Sequence, residues 1–185
     1  MSIFIQTVVF VLATLFVFQV SRRALLNPGS HGFYRFFVFE GIVLLILLNQ
    51  PRWFIEPFSF LQCLSWFFLV CSICLISQSL WMLKRCGGYA ARQDMPENHA
   101  FENTVNVVEK GVYSYIRHPM YSSLLFLAWG AYLKNTSFPA SVLVLMVTFF
   151  LFIAARVEEG ENIRFFGKSY KQYMKRSKMF VPLLF

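Results

Sequence analysis

The stretch MYSSLLFLAWGAYLKNTSFPASVLVLMVTFFLFIAA, from Met120 to Ala155, decides how this chain folds. It holds two apolar runs, Met120 to Leu133 and Phe138 to Ala155, parted by Lys134-Asn135-Thr136-Ser137. Apolar runs joined by so short a polar turn read as a helical hairpin in a membrane, because lipid leaves backbone polar groups no partners except those within a helix. A hairpin returns its two ends to the same side of the bilayer. Those ends carry Gly111-Val112-Tyr113-Ser114-Tyr115-Ile116-Arg117-His118-Pro119-Met120-Tyr121 and Arg156-Val157-Glu158-Glu159. Arg117, His118, Glu158 and Glu159 are therefore expected to face one another, although they lie far apart in sequence. Ionisable groups gathered at a membrane boundary mark a candidate site.

Composition extends the membrane reading to the whole chain. Of 185 residues, 57% are hydrophobic and 14% charged, with 23 Phe, and the mean hydropathy is +0.56. A soluble domain of this size needs more polar surface to cover its outside. Three further apolar segments precede the hairpin: Ile3 to Val20, Phe33 to Leu48 and Phe58 to Leu83. The first makes about 27 Å of helix, close to the hydrocarbon thickness. The third is long enough to tilt. The run from Met120 is short for a span unless Tyr115 and Ile116 extend it, with a kink at Pro119. The expectation is an all-α integral membrane protein forming one domain, residues 1–185. It has about five transmembrane helices and a cytoplasmic C-terminal amphipathic helix. Residues 1–83 supply three spans, 84–119 a cytoplasmic connection and the Arg-His-Pro triplet, 120–155 the hairpin, and 156–185 a C-terminal segment.

Basic residues orient this layout. With five spans, the first turn, the connection and the tail share one side, which collects fourteen Lys and Arg residues; the other side has Arg52 and Lys134. The positive-inside rule makes the crowded side cytoplasmic and sends the N-terminus outside. In the tail, Ile163, Phe166, Tyr170 and Tyr173 recur at helical spacing with Lys168, Lys171 and Lys175 between them, while Gly167 weakens the helix. This reads as an amphipathic helix lying on the membrane or capping the site.

Several function classes drop out. The formal charge is +8, but the basic residues sit in the connections and tail, as contact with anionic membrane lipids requires. The aromatics lie inside apolar runs, so no nucleic-acid partner is expected. Cys63, Cys71, Cys74 and Cys86 form no metal or disulfide framework; Cys71 and Cys74 sit mid-span, where a small buried hydrophobe is the simpler role. Ile3 to Val20 lacks a basic leader and cleavage site and reads as a retained span. Asn135-Thr136-Ser137 matches a glycosylation acceptor, but the turn would hold it against the bilayer. Glu40, the acidic residue inside a proposed span, reads as an interfacial charge balanced by Arg35 or solvent, with a group facing the bundle interior as the alternative.

Taken singly, His118 is an ordinary polar residue, Arg117 and Lys110 are snorkelling cations, and Tyr113, Tyr115 and Tyr121 form an aromatic belt. Glu158 and Glu159 resist such a reading. They stand at the C-terminal end of a helix, where the macrodipole disfavours negative charge, so a cationic or hydroxyl-rich partner is expected there.

The ordered set Gly111-x-Tyr113-x-x-x-Arg117-His118-Pro119-x-Tyr121, Glu158-Glu159, Phe166-Gly167-x-x-Tyr170-x-x-Tyr173 and Pro182 resembles the isoprenylcysteine carboxyl methyltransferase and phospholipid methyltransferase group of membrane proteins. The match covers roughly Glu109 to Phe185. The resemblance implies a small helical membrane enzyme using S-adenosylmethionine at the cytoplasmic face, with a lipid-like or small-molecule methyl acceptor. Carried over residue by residue, it makes Gly111, Tyr113, His118, Pro119, Tyr121, Glu158 and Glu159 cofactor-binding candidates. It makes Arg117, and more loosely Arg176, catalytic candidates near an acceptor. No metal is implied. This chain has Ser122-Ser123 where many members have a Gly. Methyl transfer from a sulfonium asks chiefly for alignment and exclusion of water, which suits a sequence without a nucleophile–base motif. Membrane sterol and enone reductases using NADPH share a similar Arg-His-Pro-x-Tyr segment, and a non-enzymatic membrane scaffold of the same fold is the third reading. The Glu158-Glu159 pair and the short chain favour the methyltransferase.

Overall fold

The computed structural model describes residues 2–88 and 104–181, and these are helical almost throughout. Six helices follow in order: α1 Ile3–Leu25, α2 His31–Asn49, α3 Phe60–Cys86, α4 Pro119–Tyr132, α5 Phe138–Phe166 and α6 Lys168–Arg176. Short 3-10 turns cover Gln50–Arg52 and Gly111–Ser114. Most of the connection from Lys84 to Lys110, and Pro182 of the sequence motif, lie outside the described residues.

The core forms where α2, α4 and α5 meet, around Val38, Leu45, Ala128, Val144, Leu151 and Ala154. Without a hydrophobic drive between helices in lipid, close backbone approach matters. Gly41 supplies it: a Cβ there would stand 2.5 Å from Cγ2 of Val147, so α2 could not lie this near α5. α3 packs along α4, and α1 rests against α2. Phe4, Leu12 and Phe16 of α1 point outward, as a lipid-facing helix requires.

A seam of hydroxyls joins α3 to α4. Ser65, Ser72 and Ser79 recur every seven residues and are buried. Ser65 Oγ donates to the Gly130 carbonyl at 2.6 Å, and Ser72 Oγ to the Ser123 carbonyl at 2.7 Å. Both hydroxyls thus satisfy themselves on the neighbouring backbone. Glu40 also meets a neighbour: Thr14 of α1 donates to its Oε2 at 2.8 Å. That replaces the expected balance by Arg35 or solvent with a contact inside the bundle.

Four helices, α1, α2 with its 3-10 turn, α3 and α5, are long and apolar enough to cross a membrane. The protein is thus a multi-pass membrane protein. The fourth apolar segment differs from expectation. α4 has 14 residues, about 21 Å of helix. Tyr115 and Ile116 do not extend it, since Ile116 is tied into a parallel bridge with Lys178. α4 nonetheless reaches the far end of α2, where Asn49 Nδ2 donates to the Ala131 carbonyl at 2.8 Å. Pro119 is not a kink. It occupies the first turn of α4, where its missing N–H leaves no bond unmade.

α5 does not stop at Ala155, where hydropathy falls. It runs on to Phe166 and ends at Gly167, whose φ of 62° places the backbone where a side chain is strained. Ile163 and Phe166 therefore belong to α5. Only Tyr170 and Tyr173 form the buried face of α6, with Lys168, Lys171 and Lys175 exposed.

Candidate active site

The Arg-His-Pro triplet is fixed from the C-terminal side. After α6 the chain turns back beside residues 115–118. Arg117 N–H donates to the Lys178 carbonyl at 2.7 Å, His118 N–H to the Met179 carbonyl at 3.2 Å, and Lys178 N–H to the Tyr115 carbonyl at 2.9 Å. Met179 and Phe180 are buried, and Ser122 Oγ donates to the Phe180 carbonyl at 2.7 Å. Of Ser122 and Ser123, where many members of the resembling group have a Gly, the first thus holds the tail, while the Ser123 hydroxyl donates back to the Met120 carbonyl at 2.6 Å.

The expected meeting of the two polar clusters takes place. His118 is 4% exposed and sits between both glutamates. Its Nδ1 is 3.9 Å from Glu158 Oε2 and its Nε2 3.6 Å from Glu159 Oε1. Among the described residues Nε2 has no hydrogen-bond partner. The ring stacks on Tyr121 with centroids 5.5 Å apart and planes 12° from parallel.

The two glutamates take different positions. Glu159 is buried, held by Arg117 Nε at 2.8 Å and Arg156 Nη1 at 3.5 Å. Glu158 is 30% exposed and lines a cavity of about 830 Å³, counting its open mouth. Tyr113, His118, Pro119, Tyr121, Tyr170 and Tyr173 line it with Glu158, as do His31, Arg35, Glu161 and Asn162. Burial pushes the phenols of Tyr113, Tyr170 and Tyr173 well above the ordinary tyrosine value, so all three stay protonated. Tyr173 donates to the Tyr113 carbonyl at 2.7 Å, which ties α6 to the turn before α4.

Not every sequence candidate is at the cavity. Gly111 stands behind it against Met82 with φ of 60°. Arg176 is 65% exposed and pairs with Glu109 at 2.8 Å, away from His118. Arg117 touches the cavity, but its guanidinium is engaged: beyond Glu159 it donates to the carbonyls of Met174 and Ser177. His31 and Glu161 enter the site unannounced. His31 Nδ1 lies 2.6 Å from Glu161 Oε2, and the His31 N–H donates to Oε1 at 3.1 Å. The available signal was Glu161 itself, a third carboxylate one helical turn beyond Glu158.

With carboxylate, unpaired imidazole nitrogen, phenols and an apolar wall at Pro119 and Phe166, the cavity suits a ligand with a cationic or hydroxyl-bearing part and a flat aromatic part. A profile of the phospholipid methyltransferase family matches residues 61–171. The chain belongs to this family. Within the phospholipid methyltransferase family it is similar to a protein-S-isoprenylcysteine O-methyltransferase of Schizosaccharomyces pombe, 34% identical over 80 residues, covering 42% of this chain and 34% of that protein. It is 28% identical over 71 residues to methanethiol S-methyltransferase 1 of Bradyrhizobium diazoefficiens, covering 38% of this chain and 24% of that protein. It is also 32% identical over 80 residues to protein-S-isoprenylcysteine O-methyltransferase B of Arabidopsis thaliana, covering 42% and 40% of the two chains. The alignments thus span well under half the length of these curated relatives. No solved structure matches significantly.

Proposed function

We propose that this protein is an S-adenosylmethionine-dependent methyltransferase whose site opens to the cytoplasm and whose acceptor is small or lipid-like. The observation that carries the reading is the cavity where Glu158, His118 and Tyr121 converge, in a chain of the phospholipid methyltransferase family. The named relatives methylate isoprenylcysteine or methanethiol, and both acceptor types are amphiphilic or small enough to arrive from lipid.

The cavity's residues fit the cofactor's chemistry. Glu158 offers carboxylate oxygens to ribose hydroxyls or to a cationic group. Tyr113, Tyr170 and Phe166 offer aromatic surface for an adenine, and His118 Nε2 offers a buried polar atom still to be paired. When bound, the cofactor supplies an activated methyl group. The protein's part is to align the acceptor and keep water out, and the fold supports both. The tail at Met179 and Phe180 closes one side, and the paired backbone at 115–118 fixes His118. Arg156, Lys168, Lys171 and Lys175 surround this end of the bundle, as a cytoplasmic face requires.

Calorimetric titration of the purified protein with S-adenosylhomocysteine and with NADPH tests the reading. Binding of the first and not the second is expected, with a loss of about tenfold or more in His118→Ala and Glu158→Ala, the scale of one charge-assisted bond. Binding of NADPH alone would point to a reductase. Binding of neither would leave a scaffold.

A further inference from the structure

The buried His31–Glu161 pair has no part in the cofactor reading above, yet both residues line the cavity. They come from different helices, α2 and α5, and are 3% and 2% exposed. Glu161 grips one edge of the imidazole at 2.6 Å and, with its second oxygen, the His31 backbone N–H at 3.1 Å. Carboxylate and ring are thereby fixed relative to each other. A carboxylate bonded to Nδ1 selects the tautomer that carries its proton there, which leaves Nε2 as the acceptor of a proton. Burying an acid and a base this thoroughly is costly unless each satisfies the other, and the ring is part of the cavity's lining.

From this geometry we infer that His31, oriented by Glu161, is the general base that deprotonates the methyl acceptor, and that the acceptor is a thiol. The inference rests on the methyltransferase reading. A carboxylate acceptor arrives ionised and needs no base. It needs a cationic fork, and neither guanidinium at the cavity is free: Arg117 is committed to Glu159 and two backbone carbonyls, and Arg35 has a partner of its own. A thiol has to lose a proton. From an ordinary thiol to an ordinary imidazole the gap is about two pK units, whereas from an ammonium it is about four, so imidazole suits the thiol. His118 is already used in the cofactor reading, through its Nε2. In the step, the S–H bond breaks and its proton passes to His31 Nε2. The sulfur electron pair forms the new S–CH3 bond, and the donor's carbon–sulfur bond breaks with its pair remaining on the donor's sulfur. The proton later leaves to solvent through the mouth. The charges facing His31 are Glu161 and Glu158 from α5 and Arg35 from its own helix.

The test uses the full chain in lipid nanodiscs, with an alkyl thiol and the carboxylic acid and primary amine of the same chain length as acceptors. Methyl transfer to the thiol is expected, with kcat/KM rising with pH through the imidazole range. His31→Gln should lower kcat by about 10²–10⁴-fold, the usual contribution of a general base, and abolish that limb. S-adenosylhomocysteine affinity, measured calorimetrically, should hold and so report an intact fold. Glu161→Gln, which keeps a carbonyl for the backbone N–H, should lower kcat less and shift the limb. Spectra of isotope-labelled histidine should show the Nδ1–H tautomer in the native protein. Turnover of the acid instead of the thiol, or an unchanged pH profile in His31→Gln, would overturn the inference while leaving the methyltransferase intact. Failure to bind S-adenosylhomocysteine would overturn both.

Discussion

Arg117 Nε donates to Glu159 Oε1 at 2.8 Å, joining the loop before α4 to the cavity end of α5. The same guanidinium reaches the carbonyls of Met174 and Ser177. One side chain thus ties three segments together. Its engagement also explains how a glutamate lies buried inside α5, which runs on past it to Phe166.

Arg117→Lys keeps the charge but cannot reach three acceptors in different directions. It should cost about 1–3 kcal/mol of stability, the value of losing charge-assisted bonds at a largely buried site. Thermal unfolding in detergent reads this directly. S-adenosylhomocysteine affinity should fall in step with turnover, because the tail that braces His118 loosens. A fall in turnover alone would mean that Arg117 contacts the acceptor.

At the opposite end of the bundle, Lys134 is buried, donates to Gln62 Oε1 at 3.0 Å and lies 3.5 Å from the Trp66 ring centroid. Lys134→Met fills similar volume without the charge, strands the Gln62 oxygen and gives up a cation–π contact. A loss of about 1–3 kcal/mol is expected. Cofactor-analogue affinity should be untouched, since the cavity is at the other end. An equal loss of affinity would show that the two ends are coupled.

Burial raises the Tyr113, Tyr170 and Tyr173 phenols above their ordinary value near 10. Below that value both folded and unfolded chains keep these protons, and the contribution to stability is complete. As pH rises beyond it, the unfolded chain ionises first and stability is lost. Unfolding temperature should therefore fall from about pH 10 upward, with tyrosinate absorbance appearing together with unfolding. Tyr113→Phe should make the fall shallower; an unchanged slope would mean that Tyr113 titrates normally.

The hairpin fixes a topology. In a background with the four native cysteines replaced, Thr136→Cys in the turn and Lys175→Cys on α6 are both exposed. An impermeant thiol reagent should label the first from outside intact cells and the second only after permeabilisation. Labelling of both from one side would rule out the hairpin as a crossing.

The helices were legible because a membrane imposes a simple rule, a long apolar run between polar turns. The run from Phe58 to Leu83 became α3 within a few residues at each end. The facing of His118 and Glu158 followed from the hairpin alone. The boundary at Ala155 was not a helix end, because hydropathy records where lipid stops and not where helical hydrogen bonding stops. The hydroxyl seam at Ser65, Ser72 and Ser79 was visible as a spacing of seven, but a serine in an apolar run has no direction until the partner helix is known. His31 and Glu161 are 130 residues apart, and no local pattern links a helix start to a carboxylate on another helix. The pairing of residues 115–118 with the tail is equally non-local.

That pairing has a consequence for biosynthesis. Arg117 and Ser177 are separated by 60 residues, which a ribosome takes roughly 3–12 s to add at about 5–20 residues per second. Throughout that interval the backbone groups of Arg117 and His118 wait in the nascent chain without their partners. The cavity is therefore completed late, after the residues of α5 and α6 have been added. A chain truncated ahead of Ser177 would keep its long apolar helices and lack the tail that fixes residues 115–118.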